Sequence, residues 1–316
     1  MEKRIPINRT TIPSTGEILR LIVRAALEIH PGISPSKIKR KIYLIYRAFR
    51  HRSLLSKYYA RMSRPELNEI IPVASDIVLL ITAPYINKAW NVVQRLDRMA
   101  NHYELLVSLS TKLVAVNRTT PLTLVDLSMI SNESRIVMDR APWFKREGEL
   151  VLNLFKGELR VASIAFIFGI HDGEPTIIIG AIQGIHSGIS ADESLLIYKT
   201  LTKDFEGLRP RSLLLDVLKT IGDTLGIKKL LAVSDENRQH RHEYYGVVGA
   251  SKLATNYNTI WAEHGGSQSV VPEFYEIPLK LVRREPDEIP SRKRAMYRRR
   301  YDILDRIQRE IAIRVR

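Results

Sequence analysis

The stretch "LVLNLFKGELRVASIAFIFGIHDGEPTIIIGAIQG", residues 150–184, carries apolar and β-branched runs separated by Lys156-Gly157 and Asp172-Gly173. Asp-Gly between two such runs is a strong two-residue hairpin signal. The simplest reading is three consecutive antiparallel strands over about 149–156, 159–169 and 175–183. Downstream, Pro210 opens and Gly226 closes a helix whose Leu214, Val217, Leu218, Ile221 and Leu225 form one stripe. "KKLLAV", residues 228–233, is a short continuous apolar run, as expected of a strand buried on both faces. A last strand near "PEFYEIPLKLV" precedes a C-terminal helix in which Met296, Ile303, Ile307 and Ile311 share one side.

Upstream of Pro121 the period is helical. "EILRLIVRAALEIH" stops at Pro31-Gly32, "SPSKIKRKIYLIYRAFR" opens on Ser34-Pro35, and "NKAWNVVQRLDRMANHYELLVSL" follows Pro84. The chain therefore divides into a basic helical region, 1–120, and an α+β domain, 121–316. The second has a mixed, largely antiparallel sheet with flanking helices and a basic C-terminal helix.

The 316 residues hold no cysteine, which excludes disulfides, thiolate catalysis and cysteine-ligated metal centres. The first apolar stretch is broken by Arg20, Arg24 and Glu28, so a secretory signal is not expected and the cytoplasm is. The longest apolar run, Ile70 to Ile86, holds Pro72, Asp76 and Pro84 and is short for a membrane span. It reads as a buried helix or an interfacial segment. The net charge of +15 is uneven: +12 over residues 1–121, −3 over 122–282 and +6 over 283–316. Two basic ends around a near-neutral middle argue for a basic binding surface.

The order of hairpin-built strands, helix and central strand resembles the GNAT acyltransferase fold. In that fold the pyrophosphate of an acyl-CoA sits on backbone N–H groups of the loop after the fourth strand. The matching place is "QGIHSGIS", residues 183–190, where Gly184 and Gly188 let backbone approach a phosphate and Gln183 joins them as a donor-binding candidate. Arg209 and Arg211 flank Pro210 at a helix start, a position suited to a phosphate-bearing donor or to an internal acid. A helix around 192–205 precedes the one at 211–225, leaving two candidates for the phosphate-facing element.

A second resemblance rests on "IIIGAIQG", "TKDFEGLRPRSLLLDVL", "LLAVSDENR", "WAEHGG", "FYEIP" and "IPSRKRAMYRRRYDILD" taken in order. These blocks are similar to those of the VirK/YbjX family of Gram-negative bacteria. The resemblance implies a link to virulence and to envelope or antimicrobial-peptide resistance, and no established reaction. It departs from the pattern at Asn258, where an aspartate is expected.

Among residues suited to chemistry, Ser234, Asp235, Asn237 and Arg238 gather where a buried strand ends, the usual place for a site in such sheets. The plainer alternative is that Asp235 and Asn237 cap the next turn. His240 is a candidate general base and Glu263 another. A metal site is not expected, because no cluster has ligand spacing. Arg294, Arg298, Arg299 and Arg300 at the C-terminus form an anion-binding or lipid-binding set. So do Lys39, Arg40 and Lys41 in an acid-free segment where Ile38, Ile42, Ile45 and Phe49 recur at helical spacing. That stripe suits either anionic lipid or the protein's own core.

The expected function is that of a membrane-surface protein transferring an acyl or aminoacyl group from acyl-CoA, or another phosphate-bearing donor, to an envelope component. The alternatives are a non-catalytic accessory protein that binds anionic lipid or a protein partner, and a nucleic-acid-binding protein. The last rests on charge alone, since no nucleic-acid-binding motif is present.

Overall fold

The computed structural model describes residues 13–67, 74–117, 119–186, 188–246 and 255–316. The apolar run at 70–86 lies partly outside them; within them Ile77, Val78, Leu80 and Ile81 are buried. No helix of the described residues is long and apolar enough to cross a membrane.

Among the described residues six α-helices come first: α1 (Thr15–Ile29), α2 (Pro35–Arg50), α3 (Arg52–Met62), α4 (Ala74–Leu79), α5 (Val92–Leu109) and α6 (Thr111–Val114). Their starts are chemically specified. Ser14 caps α1 with Glu17 in a reciprocal box, and Asn91 does the same for α5 with Gln94. Pro35 occupies the first turn of α2, where its missing N–H has no helical partner to lose.

The sheet follows: β1 (Leu122–Asp126), β2 (Ser134–Asp139), β3 (Leu150–Lys156), β4 (Leu159–His171) and β5 (Glu174–Gln183). Then come α7 (Ala191–Asp204), α8 (Pro210–Thr224), β6 (Lys229–Val233), α9 (Tyr257–Glu263), β7 (Ser267–Gln268), β8 (Phe274–Glu276) and α10 (Arg294–Val315). The strand order is β1-β2-β3-β4-β5-β6-β8-β7, and every neighbouring pair is antiparallel except β5 and β6. The hairpins at Gly157 and Gly173 turn through left-handed glycines, φ 56° and 78°. The expected strands at 149–156, 159–169 and 175–183 match β3, β4 and β5 to within two residues. β1 and β2 have no counterpart in the sequence reading; five and six residues are too few for a period to declare itself.

The N-terminal helices and the sheet share one hydrophobic core, with α5 packed on β4 and α8 on β3, β4 and β5. α10 docks through Ile303, Leu304, Ile307, Ile311 and Val315 against α8 and β1. The C-terminal arginines then divide. Arg299 holds the Glu206 carboxylate at 2.7 and 2.9 Å, and Arg300 Nε donates to the Glu206 carbonyl at 2.9 Å. Both secure the α7–α8 turn, where Glu206 and Gly207 take left-handed backbone angles. Arg294 Nε donates to the Ile289 carbonyl, whereas Arg298 is exposed. Arg300→Ala should therefore lower stability by about 1.5–3 kcal/mol, the worth of a charged hydrogen bond to backbone. Arg298→Ala should change it by less than about 0.5 kcal/mol, which paired thermal melts will show.

Candidate active site

The parallel register of β5 and β6 runs from Thr176↔Lys229 to Ile179↔Ala232 and stops there. β5 continues to Gln183 along β4, while Ser234 N–H turns away to the Glu273 carbonyl. The two strands thus part at their carboxyl ends. α9 fills part of the gap: Tyr257 Oη accepts from Ile182 N–H at 3.1 Å, and Trp261 Nε1 donates to the Val233 carbonyl at 2.9 Å.

Over this opening lies the segment that joins β2 to β3. It turns at Pro142–Phe144, and Glu147 and Gly148 both donate their N–H to the Phe144 carbonyl. Ile86 N–H binds the Arg146 carbonyl at 2.7 Å, tying the segment to the loop before α5. Gly180 of β5 is what lets it come so close. An ideal Cβ there would fall well inside contact distance of the Glu147 carbonyl oxygen and 2.8 Å from its carbon.

The Glu147 side chain is brought into the molecule as a result, with 3% of the residue exposed. Gln183 Nε2 donates to its Oε2 at 3.0 Å, and His240 Nδ1 lies 3.4 Å from Oε1. Burial lifts the carboxyl to about 7 against the opposing pull of Arg238 and Arg146. Burial, with the same two arginines, drives His240 down to about 4. At neutral pH the histidine is uncharged and Glu147 is poised between its two forms. This is the property required of a general base.

The residues of "VSDENR" surround this pair and build its support. The Asp235 carboxylate binds Tyr257 N–H, Arg238 and Arg241, while its own N–H donates to Asn258 Oδ1 at 2.8 Å. Asn258 Nδ2 donates to the Glu236 carboxylate, so one amide accepts and donates; an ionised aspartate at this position would only accept. Arg238 stacks on the Tyr257 ring at 3.6 Å. Asn237 donates to Ser234 Oγ, and its carbonyl takes Lys88 N–H. Ser234, Asp235, Asn237, Arg238 and His240 are therefore brought together. Glu263 is not with them.

Glu263 faces a second space, a cavity of about 800 Å³ between α7, the start of α8, α9 and the start of α10. Lys199, Lys203, Arg209, Arg211 and Arg299 make its wall basic, and Arg209 lies 3.8 Å from Glu263. Gly184 connects this cavity to the Glu147 cluster. A Cβ there would collide with Tyr198 Oη and stand 2.7 Å from Arg211 Nη2. Its neighbour Gln183 already holds Glu147. Tyr198 Oη accepts from Ile185 N–H and donates to the Val161 carbonyl, and Arg211 Nε is buried without a hydrogen-bond partner. Gln183, Gly184, Arg209 and Arg211 thus lie along one path. Gly188 lies off it, and its N–H binds the His186 ring.

Glu147 was not singled out by the sequence reading. The available signal was Gly180 inside the β-branched run "TIIIGAIQ", because a glycine within a strand marks close approach of another backbone. Among the described residues no group of three or more His, Asp or Glu stands together as metal ligands do.

A protein family described as "Protein of unknown function (DUF535)" matches residues 34–313. The chain belongs to that family. A relative from Escherichia coli (strain K12), "Uncharacterized protein YbjX", is 28% identical over 252 residues, covering 78% of this chain and 74% of its own. This agrees with the VirK/YbjX resemblance drawn from the sequence blocks. A Haemophilus influenzae protein is 26% identical over 268 residues, 84% of this chain and 85% of its own. No solved structure matches the chain.

Proposed function

We propose that the protein is a GNAT-like acyltransferase. Glu147 would be its base, and the basic cavity beside Gly184 would hold a phosphate-bearing acyl thioester such as acyl-CoA. The observation that carries this reading is the Glu147–Gln183–Gly184–Arg211 path: a carboxyl that titrates near 7, adjoining a cation-lined cavity. The strand order supports it, with one parallel pair, a helical crossover and a gap at the carboxyl ends.

In this scheme Glu147 takes the proton from an acceptor amine or hydroxyl, which attacks the thioester carbon. The new C–N or C–O bond forms, the electron pair collects on the carbonyl oxygen, and the C–S bond breaks as that oxygen returns to a carbonyl. Tyr257 accepts from Ile182 N–H, and its own proton is kept in place by burial and by the nearby Glu147 carboxylate, which hold its pKa high. Tyr257 therefore stays a neutral phenol in the gap, and the proton taken by Glu147 passes to the departing thiolate, which leaves as a neutral thiol.

Calorimetric titration of the full chain with acetyl-CoA and with a long-chain acyl-CoA tests the donor half. One molecule should bind per chain, and Arg211→Ala should weaken binding at least tenfold. Absence of binding to both compounds at millimolar concentration overturns the reading.

A further inference from the structure

α2 docks on the protein through Leu44 and Ala48, with Ile45 half-buried beside them. The apolar stripe recognised in the sequence is largely elsewhere. Ile42 is 62% exposed and Tyr46 56%, and Ile38, Tyr43 and Phe49 are exposed as well. At roughly 100° per residue, Ile38, Phe49, Ile42 and Tyr46 fall within about 80° of one another, their mean direction about 135° from that of Leu44 and Ala48, with Ile45 at the boundary. Ile33, just ahead of the helix, is 86% exposed.

The charges that α2 and α3 bring to this face have one sign. Residues 37–65 contain no acid, and Lys39 and Arg40 of α2 are exposed. At the C-terminal end of α2, Tyr46, Arg47, Arg50 and His51 line a cavity of about 550 Å³ against the start of α5. Arg47 Nε is buried there without a hydrogen-bond partner.

We propose that this outward face of α2 docks on an anionic lipid bilayer, its apolar side chains entering the headgroup boundary and its cations meeting lipid phosphates. An apolar stripe flanked by Lys and Arg needs a partner that is both anionic and apolar, and a bilayer of acidic lipids supplies both. Nucleic acid answers the charge and leaves Ile38, Ile42 and Phe49 in water. The docking does not depend on the acyltransfer reading, because Arg211 and Glu147 lie outside this face.

The test is co-sedimentation of the full chain with vesicles of phosphatidylcholine alone or mixed with phosphatidylglycerol, at low and high salt. Binding should require phosphatidylglycerol and fall at least tenfold in high salt. The double variant Ile42→Ser/Phe49→Ser should bind at least tenfold more weakly, and Lys39→Glu/Arg40→Glu more weakly still. All four side chains are exposed, so these variants should melt with the parent and bind acyl-CoA as it does. Equal binding to both vesicle types overturns the proposal, as does binding to neither or binding unchanged in both variants. Loss of binding on Arg298→Glu with none on Ile42→Ser/Phe49→Ser would move the contact to the C-terminal end and equally overturn it.

Discussion

Glu147→Gln should raise the melting temperature above pH 7 while removing acyl transfer. A carboxyl that titrates near 7 in the folded chain, against an ordinary 4.5, binds its proton more tightly folded than unfolded. Its contribution to stability is fully present below about pH 4.5 and is lost as the pH rises through about 7. Ionised at pH 8, it leaves the fold worse off by about 3 kcal/mol. Glutamine keeps the shape and an oxygen for Gln183 without the charge. The variant should therefore match the parent near pH 4 and exceed it by up to about 3 kcal/mol, or roughly 5 °C, at pH 8. Comparison at each pH is essential because His240, pushed down to about 4, contributes the opposite slope between pH 4 and 6.5 in both proteins. Loss of a general base should cost about 10²–10⁴ in rate. In the parent, transfer should rise with pH through 7; in the variant, that rise should disappear. A stability difference independent of pH would show that Glu147 ionises as an ordinary surface acid, and the base assignment would fail.

The fold was legible where the chain repeats one local message. In residues 150–183 the β-branched runs, the Asp-Gly turn and the strand lengths all agree, and β3–β5 form where they are expected. The end of β6 was legible as a site region because Ser234 to His240 are neighbours in sequence and so arrive together. Glu147 was not, because its property comes from three remote segments: Gly180 admits its backbone, Ile86 ties its loop, and Gln183 with His240 meets its side chain. Nothing within "PWFKREGEL" distinguishes it from a surface acid. Glu263 shows the converse, a residue within a recognisable block whose helix turns it toward the other cavity. On α2 the helical spacing was readable but not the side that docks, since Leu44 and Ala48 are the small or apolar neighbours of the stripe that remains exposed.

Gly180→Ala should destabilise the protein by about 3 kcal/mol or more and release Glu147 from its environment. The backbone angle at Gly180 is not left-handed, so conformation alone does not forbid alanine. In an open strand position the change would even help by about 0.4–1 kcal/mol through the unfolded chain. What decides the sign is the neighbour. The added methyl would sit inside the contact radius of the Glu147 carbonyl oxygen, a backbone atom that cannot rotate away, with Ile86 Cγ1 at 3.0 Å on the other side. Overpacking of this kind costs more than the entropic gain returns. The chain must either carry that strain or lift residues 142–149 from β5, which admits water to the carboxyl. Gly169→Ala is the internal control: it adds the same methyl to β4, where Ile178 Cδ1 stands at 3.5 Å in ordinary contact, and should stay within about 1 kcal/mol of the parent. The two glycine variants should also differ in a way that stability alone does not report. With the Glu147 carboxyl wetted, its titration should return toward 4.5. The stability gained by adding Glu147→Gln at pH 8 should then shrink in the Gly180→Ala background and persist in the Gly169→Ala background. Donor binding at Arg211 should survive in both. A Gly180→Ala protein as stable as the parent would mean that residues 142–149 do not press on β5, and the burial that lifts Glu147 would go with them.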